Sequence, residues 1–267
     1  MIRWCCYCQA FLGEVPPFDS VGLTHGICKL CTARLGADEN LHDTTAEARD
    51  LMNRIFDCAS RADAAAIPAL LEEAKARGLA TSSVLVGLLQ PVLYRAGDAW
   101  RQGSMSIAAE HALTLWCECF FAQLPVQAPA KSSLDLIIFS VPENDHSIGP
   151  RFAGELLNER GITTRVVVPT LPIEDMVAEV ERLRPRAVGL SCAVEESLAS
   201  ADAVCVELAK RIDPSWPHCF LLGGFALRIS PTWVSSSGAT VIRSLDDVDV
   251  RLRTVPRWRG MLVGSGG

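Results

Sequence analysis

Three short apolar runs each break off into a loop of polar residues or glycine, and amphipathic stretches separate them. The first, Leu134-Asp135-Leu136-Ile137-Ile138-Phe139-Ser140-Val141, leads into Glu143-Asn144-Asp145-His146-Ser147-Ile148-Gly149. The second, Ala187 to Leu190, ends on Ser191, and the third, Cys219 to Leu222, runs into Gly223-Gly224. Short, nearly continuous apolar runs suit strands of a parallel sheet covered on both faces. Pro150 to Arg160 is amphipathic, with a proline at its start and Gly161 just past its end, as a helix prefers. The alternation predicts a doubly wound, parallel-sheet α/β domain of about five strands, with Thr163 to Val168 and Ala239 to Arg243 as the other two. Ligands of an open sheet dock beyond the carboxyl ends of its strands. His146, Ser191 and the glycine pair all fall at that edge, and paired glycines let backbone approach a bulky ligand closely.

Upstream the period becomes helical. Leu51, Ile55, Phe56 and Cys58 line one helix that starts near Thr44; Ile67, Leu70, Leu71 and Ala74 line a second, ended by Gly78. A third runs from Thr81 through Leu85, Leu88, Leu89, Val92 and Ala96, with Pro91 expected to kink it. A fourth spans Ser106 to Leu124. Four amphipathic helices joined by short turns read as an antiparallel bundle over 44–124. Pro125 to Lys131 is a linker, the α/β domain is expected over 132–250, and 251–267, with its arginines, reads as a solvated tail. Within the bundle, Trp100-Arg101 near a helix end is followed by Glu110-His111 on the next helix.

The first 40 residues carry Cys5-x-x-Cys8 and Cys28-x-x-Cys31. Each pair is spaced so that a tight turn aims two thiolates at one ion, and four thiolates make a closed, structural zinc site. Iron satisfies the same ligands, and Cys6 and His25 are spare donors. A segment so poor in apolar residues needs such a staple to fold. The expected role is contact with a partner or a second subunit.

A net charge of −6 argues against general nucleic-acid binding. No apolar run is long enough to span a membrane, and the chain opens on cysteines instead of a secretion signal. Eleven cysteines scattered through helix and strand patterns suit a reduced, cytoplasmic protein. Neither a nucleophile triad nor a phosphate-cradling lysine loop is present, so an enzyme reading rests on cofactor class alone.

The series Asn144-x-His146-x-x-Gly149, then Ser191, then Gly223-Gly224 resembles the cobalamin-binding domain, whose pattern is Asp-x-His-x-x-Gly, Ser-x-Leu and Gly-Gly. The resemblance covers about 132–245. It implies that His146 is the lower axial ligand of the cobalt of cobalamin, and that Ser191, Gly223 and Gly224 line the slot for the displaced nucleotide tail. Neutral imidazole suits cobalt. Two departures stand out: Asn144 replaces the acidic residue that orients the imidazole, and Ala193 replaces leucine. Asn144 can accept from the ring through its amide oxygen, and Glu143 and Asp145 are alternative partners.

A bundle directly before such a domain is similar to the light-sensing CarH family of cobalamin photoreceptors. There a tryptophan packs over the adenosyl group, and a Glu-His pair completes the pocket. Trp100, Glu110 and His111 match. The resemblance implies a sensor holding adenosylcobalamin between a helical cap and the α/β domain. Arg101 stands where that family has a histidine that takes the upper cobalt position after illumination, and a guanidinium stays protonated and cannot ligate. The family's DNA-binding helix-turn-helix is replaced by the cysteine segment. Output is therefore expected through a protein partner, such as a transcription factor, or a homo-oligomer, instead of through DNA. The alternatives are a corrinoid methyl carrier of a methyltransferase system, or a sensor that also binds a bilin, as in photocobilins.

Overall fold

The computed structural model describes residues 1–5, 11–17, 23–26, 28, 44–125, 133–142, 144, 146–216 and 219–256. It divides into two units, Met1–Val126 and Gln127–Gly267.

In the second unit the apolar runs form the expected parallel sheet. Strands β4 (Leu136–Ser140), β5 (Thr164–Val167), β6 (Ala187–Ser191), β7 (Phe220–Gly223) and β8 (Thr240–Val241) lie in the order β5-β4-β6-β7-β8. All neighbours are parallel. Strand side chains alternate between faces, and both faces are apolar. Ile137, Phe139, Val188, Leu190 and Leu222 form one core with Met176 and Val180 of α7 (Ile173–Leu183) and Val204 and Leu208 of α8 (Leu198–Arg211). Leu136, Ile138, Ala187 and Leu221 form the other with Leu157 of α6 (Ile148–Glu159) and Val248 and Leu252 of α10 (Leu245–Thr254). A short α9 (Phe225–Ile229) follows β7. Helix α10 runs beyond residue 250, where the sequence suggests a tail, because Leu252 and Val255 are buried in this core.

The strand order reverses at β4: the chain moves outward to β5, then returns across β4 to β6. Diverging connections at such a point leave a crevice beyond the strands' carboxyl ends. The amino edge is closed by charge. Buried Asp135 takes Arg186 Nη1 at 3.0 Å and the Thr163 amide at 3.2 Å. Arg186 Nη2 also donates to the carbonyl of Val255 at 2.9 Å and to that of Leu252, tying the end of α10 to the sheet.

In the first unit, α1 (Thr44–Ser60), α2 (Ile67–Ala76), α3 (Thr81–Val84) with α4 (Gln90–Arg101), and α5 (Ile107–Phe121) occupy the four expected helical stretches. Ser106 caps α5 by accepting from the Ala109 amide at 3.2 Å. Pro91 does not break the third helix. A π-helical turn (Leu85–Leu89) joins α3 to α4, with the Gln90 amide reaching back to the Leu85 carbonyl. Proline has no N–H to give, and widening the turn keeps the helix continuous.

That turn also packs against the N-terminal strands. Strands β1 (Ile2–Cys5), β2 (Phe11–Glu14) and β3 (Leu23–Gly26) make a small sheet, β2-β1-β3, and Trp4 of β1 is buried against the turn. A Cβ on Gly87 would sit 1.9 Å from the Trp4 ring, so only glycine leaves room there. Gln90 Nε2 donates to Glu14 Oε1 at 2.6 Å. Buried Ile2 and Trp4 each contribute roughly 2–3 kcal/mol of burial. The N-terminal strands are thus part of the helical unit, where the sequence suggests a separate segment.

Candidate functional site

At the carboxyl edge of the parallel sheet, Ser140 ends β4 and lies in register with Ser191 at the end of β6. The loop after β4 carries Asn144 and His146. Asn144 is 4% exposed, and each end of its amide has a backbone partner: Nδ2 donates to the Ser191 carbonyl at 2.9 Å, and Oδ1 accepts from the His146 amide at 3.3 Å. The side-chain oxygen expected to orient the imidazole instead closes a turn under it. His146 is exposed beyond this turn, at the entry to α6. Glu143 and Asp145, the other partners considered for the ring, lie outside the described residues.

The other loops are joined to this one. The Cys192 amide donates to the Gly223 carbonyl at 2.8 Å, and Ala226 donates back to the Cys192 carbonyl at 3.2 Å. Gly224 has φ +120° and ψ 177°, a region open essentially to glycine alone, and a Cβ there would lie 2.1 Å from the Cys192 oxygen. Gly224 therefore acts by letting two loops touch. Gly223 differs: a Cβ would meet only Ile242, at 3.8 Å. Gly149, in the first turn of α6, is exposed with open space where a Cβ would point. Thr170 Oγ1 donates to the Val141 carbonyl at 2.9 Å, holding the loop after β5 to the same edge.

Burial pushes the Cys192 thiol up to about 12, with a smaller opposing effect from Ser197, so it stays protonated and is no candidate nucleophile. Asp202 of α8 is also buried. Desolvation alone would raise its carboxyl, but the hydroxyls of Ser235, Ser236 and Ser237 and the Ser236 amide at 2.7 Å hold it well below the usual carboxylate range. It pins the loop before β8.

Ser140 is the residue that the sequence reading missed. Its hydroxyl is buried and has no hydrogen-bond partner among the described residues. A serine closing an otherwise apolar strand was the available signal. An orphaned hydroxyl, an exposed imidazole and an unfilled glycine at one strand edge fit the polar rim and close backbone approach that a corrinoid tail needs.

In the helical unit, Trp100 stands in the last turn of α4 at 48% exposure, and Arg101 beside it pairs with Asp98. Glu110 and His111 are in the first turns of α5. Glu110 accepts from Thr114 Oγ1 at 2.9 Å and lies 3.7 Å from His111 Nε2, whose ring is exposed. Helix α5 is apolar nearly all round. One face is buried through Leu113, Trp116, Cys117 and Phe120, while Ile107, Ala108, His111, Ala112, Leu115 and Cys119 are exposed, with Glu110 and Glu118 half-buried. Such a helix is expected to be covered on both sides.

Of the four N-terminal cysteines, Cys5 and Cys28 are described. Strands β1 and β3 are parallel, with Cys5 opposite Gly26, and the Cys28 amide lies 3.4 Å from Cys5 Sγ. Cys8 and Cys31 lie outside the described residues. Among the described residues, no three His, Cys, Asp or Glu side chains cluster to hold a metal ion. No described helix is long and apolar enough to cross a membrane.

Residues 51–124 match the family model described as "B12 binding domain". The chain is 26% identical over 141 residues to the "HTH-type transcriptional repressor CarH" of Myxococcus xanthus; the match takes in 53% of this chain and 46% of that protein. The chain thus spans less than half the length of that relative. Its fold is similar to that of the monomethylamine corrinoid protein of Methanosarcina barkeri, with a TM-score of 0.61 and 16% identity over 77% of this chain and 98% of that one. The cobalamin-type resemblance and the fold class read from the sequence are both met.

Proposed function

We propose that this chain, with a B12-binding module over residues 51–124, is a cobalamin-dependent sensor that responds to light and signals through a protein partner. Its α/β unit supplies His146 as the lower ligand of cobalt, with Ser191, Gly149 and Gly223 beside the nucleotide tail and Asn144 and Gly224 shaping the loops. Its helical unit supplies Trp100, Glu110 and His111 toward the upper side. When bound, adenosylcobalamin brings a light-sensitive cobalt–carbon bond.

The observation that carries this reading is His146, exposed on the loop after β4 at the carboxyl edge of the sheet; within the helical unit, Trp100 is half-exposed and α5 exposes Ile107, Ala108, Ala112 and Leu115. That apolar helix face is a large area for water to cover, and a flat hydrophobic ligand together with its tryptophan lid removes it from solvent. If the bound cofactor lost its upper group, this helix face would be uncovered again. The helices then repack or present it to a partner, a population shift driven by differential burial. Arg101 is held by Asp98 and cannot become a cobalt ligand.

The N-terminal cysteines Cys5, Cys8, Cys28 and Cys31 are proposed to hold zinc. The support is parallel pairing that delivers Cys5 and Cys28 to one end of the small sheet, with an amide-to-sulfur contact between them. Zinc analysis of wild type and Cys5→Ser tests it: one zinc lost in the variant is expected, and equal zinc content contradicts it.

Light difference spectroscopy tests the sensor. Protein saturated with adenosylcobalamin in the dark should give, on illumination, a new bound spectrum and an altered hydrodynamic radius, both weakened in Trp100→Ala. Binding with no structural response to light points to a methyl carrier instead.

A further inference from the structure

Asn144 stands where the cobalamin-type pattern has a carboxylate, and its geometry gives the substitution a purpose. The amide faces two backbone groups of opposite kind, an N–H at His146 and a C=O at Ser191, at 3.3 and 2.9 Å. Only one orientation satisfies both: oxygen toward the N–H, nitrogen toward the carbonyl. A carboxylate can make the first bond, a turn closed two residues on that Asp and Asn share. It cannot make the second, because it has no hydrogen to donate and would set two acceptors against each other. The bond to Ser191 joins the loops after β4 and β6, the two strands flanking the point where the strand order reverses.

We infer that Asn144 is a positioning residue, a clasp that fixes the crevice between the His146 loop and the Ser191 loop before any ligand arrives, and that its amide serves the loops and not the His146 ring. Resting on the cobalamin reading, this gives the cofactor a preformed slot between the two loops. Preformed loops bind without first ordering themselves.

The test compares wild type, Asn144→Asp and Asn144→Ala. Two readouts are used: the melting temperature of the cofactor-free protein, and titration with adenosylcobalamin and hydroxocobalamin followed by absorbance. Both variants are expected to melt lower without cofactor, by roughly 2–8 °C, and to bind about 10- to 100-fold more weakly. Asn144→Asp should do no better than Asn144→Ala, and its bound fraction should still show the histidine-ligated bands. The opposite result overturns the inference: Asn144→Asp melting like wild type and binding more tightly would mean that the side chain serves the imidazole and not the loop. If the wild type binds no cobalamin, the functional reading fails. The melting comparison then still decides the clasp by itself.

Discussion

The two edges of the parallel sheet are built from different chemistry. At the amino edge, buried Asp135 pairs with half-buried Arg186, and the pair also meets backbone groups from Thr163 to the end of α10, with Arg186 Nε alone left without a partner among the described residues. At the carboxyl edge the joining group is a neutral amide, the histidine is exposed, and Ser140 keeps a buried hydroxyl without a partner among the described residues. One edge spends most of its polar groups on holding the domain together. The other leaves them unspent, which is what a ligand requires. Stability and recognition are thus separated along one set of strands.

The largest expected effect breaks the amino edge. Asp135→Ala removes a buried carboxylate from a half-buried guanidinium and from the Thr163 amide and should cost about 3–4 kcal/mol, read by urea denaturation of the cofactor-free protein, with the cobalamin spectrum of the folded fraction unchanged. Gly224→Ala acts at the carboxyl edge. Its backbone region and the contact with Cys192 predict a loss of about 2–4 kcal/mol, together with weakened cofactor binding, because two of the site loops must part.

Asp202 lies between these extremes. Its carboxyl is held below the usual range in the folded state, so its stabilisation is fully present above the ordinary carboxylate pKa of about 3.9 and is lost as the pH falls through the folded value. Asp202→Asn should cost roughly 1.5–3 kcal/mol at neutral pH and flatten the acid limb of melting temperature against pH. An unchanged acid limb would show that the serine loop does not depend on the charge. The smallest stability effect belongs to His146→Ala, within about 0.5 kcal/mol, since the side chain is exposed.

The sheet was legible because its strands are buried on both faces and so are written as apolar runs from Leu134 to Val141, Ala187 to Leu190 and Cys219 to Leu222. Helix ends were legible where capping chemistry is local, as at Ser106. What could not be read is what depends on groups far apart in sequence. The need for glycine at position 87 follows from Trp4 packing on the π-helical turn, and α10 outlasts the expected domain end because Leu252 finds the second core. The role of Asn144 depends on a carbonyl at Ser191 that only the fold brings near. For the same reason Gly223 and Gly224 look equivalent in sequence, yet only Gly224 is pressed against another loop.

The most direct measurement is the absorbance spectrum of wild type and His146→Ala mixed with adenosylcobalamin in the dark. Wild type is expected to give a bound spectrum with the cobalt ligated by histidine, and the variant a shift to the base-off bands at nearly unchanged protein stability. Identical spectra for the two proteins, or no binding by wild type, would contradict the claim that the loop after β4 presents a cobalt ligand.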